Sequence, residues 1–192
     1  GNDRLSAESA LARCQILSLQ GKMRAARNAI AAYVHAWDDR RHALDGLLVT
    51  RFVMLQFHLA RINGALGNGD TAVTHLEQGA AIALETGRPV DRYIACRAIA
   101  EVCLMAGETD LAIRGFEQTR EIAARAELPA YVAWSDAELA ELALEGDDPG
   151  DAAARLRRLL DTGDHGLLRI AQIKAQAALA CAAQDQDTSV AS

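Results

Sequence analysis

Small and apolar positions recur along this chain at one fixed spacing of about 40 residues, which lies in the range of helical repeats. One series is made of four alanines, each preceded by an apolar residue: Ala60, Ala100, Ala140 and Ala180. A second series keeps the same step: Ala72, Ala112 and Ala152, followed four residues later by Leu76, Phe116 and Leu156. Such a fixed period indicates a stack of structural repeats rather than a single irregular core.

Glycine-centred turns keep this period and separate runs of apolar residues with helical spacing. They lie at Gly67, Gly107 and Gly146, and an earlier copy at Gly21 precedes Gly67 by a slightly longer interval. Pro89 and Pro129 stand one period apart where a new helix would begin. Glycine ends helices and proline is tolerated in their first turn, so the punctuation predicts paired helices joined by short turns.

The pattern predicts an all-α fold of about nine helices. Their predicted bounds are 3–20, 22–37, 44–66, 70–86, 90–106, 109–126, 129–145, 149–161 and 166–184. The first eight form four antiparallel pairs, which are the repeats 3–37, 44–86, 90–126 and 129–161, and helix 166–184 caps the last pair. We therefore expect one helical-repeat domain over 1–184 and a polar tail over 185–192.

Composition and charge narrow the class of protein. Half of the residues are hydrophobic (51%), only 4% are aromatic, and the net charge is −6. The basic residues are scattered among the acids, which argues against nucleic-acid binding. No apolar stretch approaches the roughly 18 residues of a membrane helix. Cys14, Cys96, Cys103 and Cys181 are widely spaced and are expected to be reduced, small, buried residues of a cytoplasmic protein.

The third repeat carries a recognisable motif. Ile99-Ala100, Cys103, Gly107, Ala112 and Phe116 resemble the tetratricopeptide repeat (TPR) pattern, in which a small residue of helix A packs on alanine and a large apolar residue of helix B. The family favours an aromatic residue where Cys103 stands, and the period exceeds the usual ~34 residues by about six. The chain is thus similar to long-helix TPR-like arrays such as those of MalT-like bacterial signalling proteins. The resemblance implies a right-handed α-α superhelix.

The resemblance also implies a concave groove for a partner, formed by residues of the first helix of each pair. Ligand-facing positions lie three residues before and one after the small alanine, and a further one lies six residues before it. Carried over, the groove comprises Met54, Phe57, Arg61, Ile94, Arg97, Glu101, Trp134, Ala137 and Glu141. Such a groove suits a peptide or helix with an apolar anchor and a carboxylate. In the alternative interpretation, Phe57 and Trp134 belong to the core between repeats.

Candidates for chemistry are few, and no catalytic cluster, cofactor or metal site is predicted. Asp161 to His165 reads as a solvated turn, and the stretch between His35 and His42 as a helix end followed by a charged loop. His58 and His75 are expected at helix surfaces or boundaries. The acidic run is expected to form a solvated helix face and turn: Glu138, Glu141, Glu145, Asp147 and Asp148.

These observations predict a scaffold for a protein or peptide partner rather than an enzyme. The start at Gly1 suggests a portion of a larger bacterial protein. The alternative is a sensor or regulatory domain that binds a small molecule or partner within a LuxR/MalT-like transcription regulator or a diguanylate cyclase. Apolar residues of helix 166–184 would allow a homodimer.

Overall fold

A computed structural model describes the backbone of residues 2–38, 46–144, 149–161, 172–173 and 175–181. Every regular element within these ranges is an α-helix. The helices are α1 (Asn2–Leu19), α2 (Met23–Asp38), α3 (Gly46–Ala65), α4 (Gly69–Thr86), α5 (Pro89–Met105), α6 (Thr109–Arg125), α7 (Pro129–Ala143) and α8 (Pro149–Asp161). Residues 172–173 and 175–181 are also helical. The rest of the predicted capping helix, like the polar tail, lies outside the described residues.

The helices form adjacent antiparallel pairs, which confirms the all-α repeat architecture. The observed bounds of α1 to α8 lie within a few residues of those predicted, and Pro89 and Pro129 begin α5 and α7. None of the helices in the described ranges is long and apolar enough to cross a membrane.

Glycine closes the helices where the repeat period places it. Gly67 and Gly107 adopt left-handed backbone conformations, with φ of 79° and 82°. The residue after each glycine donates its backbone N–H to a carbonyl five residues earlier, Asn68 to Asn63 at 2.8 Å and Glu108 to Cys103 at 2.9 Å. This is the Schellman arrangement, which satisfies carbonyls left without partners at a helix end.

One helix ends in the same way without a glycine. Gly87 follows α4 with φ of 63°, and Glu127, one period later, follows α6 with φ of 54°. The Leu128 N–H reaches the Ala123 carbonyl at 2.9 Å, so the Schellman hydrogen bond is kept. A side chain in this conformation carries a steric cost that glycine avoids.

The chain divides into two compact units, Gly1–Glu108 and Thr109–Ser192. The first contains α1 to α5 and the second α6 to α8. The organisation of residues 1–184 as one domain stays a prediction.

Two layers of helices make up the first unit. Helices α1, α3 and α5 contact one another in that order, α2 packs on α1 and α3, and α4 packs on α3 and α5. The periodic alanines lie inside, with Ala60 and Ala100 almost fully buried. Helices α3 and α4 pack closely at Gly79, where an added Cβ would lie 2.8 Å from Phe57 Cε1. Small residues at these positions therefore set how closely the helices approach.

A buried polar pair joins α3 to α5 in the first unit. The Thr50 hydroxyl donates to Asp91 Oδ1 at 2.6 Å, and both residues are buried. Arg88 Nε lies 3.8 Å from Asp91 Oδ2, and its guanidinium also donates to the Gly46 carbonyl. Buried polar groups with such partners fix the position of one helix on another.

In the second unit, α6 and α8 both pack on α7. Ala140 and Ala152 of the two periodic series are buried, and Ala175 and Ala178 of the last helical stretch pack into the same unit. Ala180, which continues the first alanine series, is exposed. The last stretch thus packs through the residues just before Ala180. A buried hydroxyl pair, Thr119 and Ser135 at 2.9 Å, links α6 to α7.

Candidate binding surfaces

The first unit brings three of the predicted groove residues into one charged cluster. Arg97 Nη2 lies 2.5 Å from Glu101 Oε1 one turn later on α5, and Arg61 Nη1 of α3 lies 3.6 Å from Glu101 Oε2. One carboxylate is therefore shared by two guanidinium groups from adjacent helices. Arg61 is the more accessible cation, because its side chain is exposed and its ion pair is the longer one.

Phe57 lies in the core of the first unit, in agreement with the alternative interpretation. It is buried, and its ring packs on Gly79 of α4 rather than on a partner surface. Its burial follows from the close α3–α4 contact that a glycine permits. Phe57 therefore offers no surface to a ligand in this structure.

Met54 and Ile94 lie half-buried at the edge of the same core. The Met54 sulfur is 3.3 Å from Arg51 Nη1, and Arg51 Nε in turn contacts Glu8 Oε1 at 2.6 Å. Met54 therefore lies beside an ion pair that connects α3 to α1.

Trp134 and Glu141 belong to the second unit, and both are half-buried on α7. The indole N–H of Trp134 donates to Glu138 Oε1 at 2.9 Å. Glu138 is only 2% exposed. The expectation of a solvated acidic face is therefore wrong at Glu138. Its carboxylate is buried, and the hydrogen bond from the indole one turn earlier partly replaces the solvent. Glu145, Asp147 and Asp148 lie outside the described residues.

An apolar cavity of about 390 Å³ opens in the first unit at the C-terminal ends of α1, α3 and α5. Its lining residues are Gln15, Ser18, Leu19, Met23, His58, Arg61, Ile62, Ala65 and Met105. Leu19 is 89% exposed and Met105 is 54% exposed, so large apolar side chains border the opening. Arg61 connects this cavity to the charged cluster on α3 and α5. The predicted groove positions did not include Leu19, Met23 or Met105. These residues line the cavity because the helix ends that carry them converge.

His58, expected at a helix surface or boundary, contributes a neutral imidazole to this cavity. Burial, together with the nearby cations of Arg61 and Arg97, lowers the pKa of His58 to about 4. At neutral pH the ring is uncharged and can both donate and accept a hydrogen bond. His75 instead contacts the core, because its Nδ1 lies 2.7 Å from Oε1 of the buried Gln56. Burial lowers the pKa of His75 as well.

The described part of the chain offers few residues for metal binding or for thiol chemistry. No group of three His, Cys, Asp or Glu side chains there could hold a metal ion. Residues 162–165 of the Asp161 to His165 turn and the predicted loop at His42 lie outside the described residues. Burial raises the pKa of the Cys14 and Cys96 thiols, which disfavours the reactive thiolate. Cys181 is exposed, so the expectation of burial is wrong for this cysteine.

Helices paired in this way, with a recurring small-residue register and Schellman turns, define a TPR-like helical-repeat fold. Solved structures with this fold include a crystal structure from Podosopora anserina of a protein described as a kinesin light chain with nearly identical TPR-like repeats. It shares 24% identity with this chain at a TM-score of 0.57, over 96% of this chain and 87% of that one. A point-substituted form of the same protein matches with the same identity and TM-score, over 86% of its length. No protein-family model and no curated protein matches the sequence.

Proposed function

We propose that this chain is a scaffold that binds a protein or peptide segment, and that the surface formed by α1, α3 and α5 in the first unit receives it. The observation that carries the proposal is the cavity of about 390 Å³ bordered by the exposed Leu19 and Met105. Exposed apolar side chains around a concave opening favour a site for an apolar anchor of a partner.

The lining of the cavity suits segments of varied shape. Met23 and Met105 have long, flexible side chains that can repack around different apolar groups. Arg61 at the rim can orient a carboxylate of the ligand, which would compete with Glu101 for the guanidinium at 3.6 Å. The neutral His58 adds a hydrogen-bonding group without a charge that needs neutralising.

Substitutions at the opening test this surface. Short random peptides displayed on phage are selected against the intact chain, and enriched peptides are titrated against Leu19→Glu and Met105→Glu. We expect each substitution to weaken binding about tenfold, because a carboxylate replaces the apolar border. Leu84→Glu is the matched control, since Leu84 is an exposed leucine of α4 outside this surface. Equal binding to all four proteins, or equal weakening by Leu84→Glu, would contradict the proposal.

A regulatory domain that binds a small molecule is the second candidate, and the size of the cavity favours it. About 390 Å³ falls within the ~300–1,000 Å³ typical of small-ligand sites. In this version the chain serves as the sensor of a larger bacterial signalling protein, a MalT-like transcription regulator or a diguanylate cyclase. In either version we place the protein in the cytoplasm and assign it no catalytic step.

Two measurements separate these candidates. The sequence that flanks this segment in the native gene supports the regulatory version if it encodes a DNA-reading or cyclase domain. A thermal-shift screen with small metabolites supports it if a compound raises the melting temperature and Met105→Glu abolishes the shift. Selection of peptides whose binding depends on Leu19 and Met105, with no such compound, supports the peptide scaffold.

A further inference from the structure

The second unit contains a long groove on a different set of helices from the surface proposed above. Its floor is the face of α7 that carries Pro129, Val132, Asp136 and Leu139, and its walls are α6 and α8. One part has a volume of about 1050 Å³ and the adjoining part about 660 Å³. Both parts are lined by Ala124, Asp136 and Leu159, so they form one continuous groove.

The two halves of the groove differ in chemistry. Around the start of α7 most lining residues are apolar, among them Leu128, Val132, Ala133 and Leu159 of α8, although Glu127 also lines this part. Toward the middle of α7 the lining carries most of the charged side chains. Four are arginines and three are acids: Arg114, Arg120, Arg155, Arg158, Glu117, Glu121 and Asp136. A ligand that fills the groove therefore needs an apolar half and a charged half.

The charged half keeps an excess of one positive charge after the ion pairs are counted. Glu121 is paired with Arg125, so Arg114 and Arg158 remain against Glu117 among the described residues of the lining. Arg120 Nε is paired with Asp136 Oδ1 at 2.6 Å, and Arg155 Nη2 with Asp151 Oδ2 at 2.7 Å. Arg114 and Arg158 are exposed, and neither forms an ion pair with a side chain in the described ranges. In a chain of net charge −6, two accessible arginines in one groove favour a ligand with carboxylates.

The corresponding positions on α3 are covered. Two repeats earlier, the positions that correspond to Asp136 and Leu139 are Gln56 and Leu59 of α3. Both are buried, and Gln56 contacts His75 of α4. The floor that is covered at α3 is accessible at α7, as it also is at α5, where Cys96 is half-buried and Ile99 is exposed.

We propose that this groove is a second docking site, which receives an amphipathic helix of a partner protein with acidic residues at one end. The floor from Pro129 to Leu139 is about 15 Å long, which accommodates roughly ten helical residues. Apolar side chains of that helix pack near Val132 and Leu159, and its carboxylates pair with Arg114 and Arg158. The site does not depend on the surface at Leu19 and Met105.

The groove can be altered without disturbing the core. Ala124 is exposed on α6, so Ala124→Gln fills the shared centre of the groove with an uncharged side chain. Arg114→Glu with Arg158→Glu reverses the accessible charge at two exposed positions. Arg24→Glu is the matched control, because Arg24 is an exposed arginine on α2 in the first unit.

The experiment selects random peptides displayed on phage against the intact chain, after depletion on a variant that carries Ala124→Gln, Arg114→Glu and Arg158→Glu together. We expect the enriched peptides to combine an apolar helical face with an acidic end. Fluorescence anisotropy of an enriched peptide should show about tenfold weaker binding to the double arginine variant and unchanged binding to Arg24→Glu. The affinity should also fall as salt is added.

Three outcomes would overturn the proposal. The first is that no peptide distinguishes the intact chain from the depleting variant. The second is enrichment of lysine-rich peptides, which would reverse the charge preference. The third is self-association in sedimentation that Arg114→Glu with Arg158→Glu abolishes, which would assign the groove to a second copy of the chain.

Discussion

At the scale of single residues, two glycines in adjacent helices of the first unit have opposite roles. Gly79 of α4 is buried against Phe57, and an added Cβ would lie 2.8 Å from Cε1 and 3.3 Å from Gln56 Cβ. Gly64 of α3 is exposed, and the nearest atom to an added Cβ is the Met105 methyl group at 3.9 Å. One glycine serves close packing, whereas the other only weakens its helix.

Alanine substitutions should therefore have opposite effects at these positions. We expect Gly79→Ala to lower the free energy of unfolding by about 1–3 kcal/mol, because the methyl group overpacks the α3–α4 contact. Gly64→Ala should raise it by about 0.5–1 kcal/mol through helix propensity. Urea denaturation monitored by circular dichroism measures the free energy of unfolding of both variants. A neutral or stabilising Gly79→Ala would show that the contact between α4 and Phe57 can adjust to the added methyl group.

The left-handed Glu127 gives a second residue-scale prediction. A non-glycine residue in this conformation costs roughly 1–2 kcal/mol, and the greater freedom of glycine in the unfolded chain offsets part of that cost. We expect Glu127→Gly to stabilise the protein by about 0.5–1 kcal/mol in thermal or urea melts. Glu117→Gly, at an exposed interior position of α6, is the control and should destabilise by a similar amount. Destabilisation by Glu127→Gly would mean that the Glu127 side chain contributes more to stability than its left-handed backbone conformation costs.

At the scale of helices, the periodic alanines determine how closely neighbouring elements pack. We expect Ala100→Phe and Ala140→Phe each to lower the free energy of unfolding by about 1–3 kcal/mol, because both alanines are almost fully buried. Ala180→Phe is the matched control at the exposed member of the series, with an expected change within about 0.5 kcal/mol. Equal melting temperatures for all three variants would contradict the packing register.

Helix bounds could be predicted from the sequence because local signals determine them. Gly67 and Gly107 end helices through their own backbone preference, and Pro89 and Pro129 begin helices for the same kind of reason. Glu127 was not anticipated, because its left-handed conformation is imposed by the hydrogen bond from Leu128 and not by its residue type.

The candidate sites could be predicted from the sequence only in part. Arg97 and Glu101 are one turn apart and could be paired from spacing alone, and Arg61 follows from the repeat register. The burial of Glu138 had only the four-residue spacing from Trp134 as a signal. The groove over α7 depends on the separation of α6 from α8, a tertiary distance that no local pattern encodes.

At the scale of the whole molecule, the division into two compact units raises the question of cooperativity. A helix pair cannot bury both of its apolar faces alone, so we expect residues 1–184 to unfold as one domain. The two tryptophans, Trp37 and Trp134, belong to different units. In urea, Trp37→Phe and Trp134→Phe variants should show fluorescence transitions that coincide with the loss of helical circular dichroism. Two separate midpoints would contradict the one-domain prediction.

The Schellman turns at Gly67 and Gly107 also make the chain modular in an engineering sense. The segment from Asn68 to Gly107 begins just after one such turn and ends on the next, so it contains one full repeat period. A tandem duplication of this segment would join Gly107 to Asn68, and so would place a glycine of the same conformation before the same helix start. Arrays of different length could thus be built from this sequence without designing a new junction.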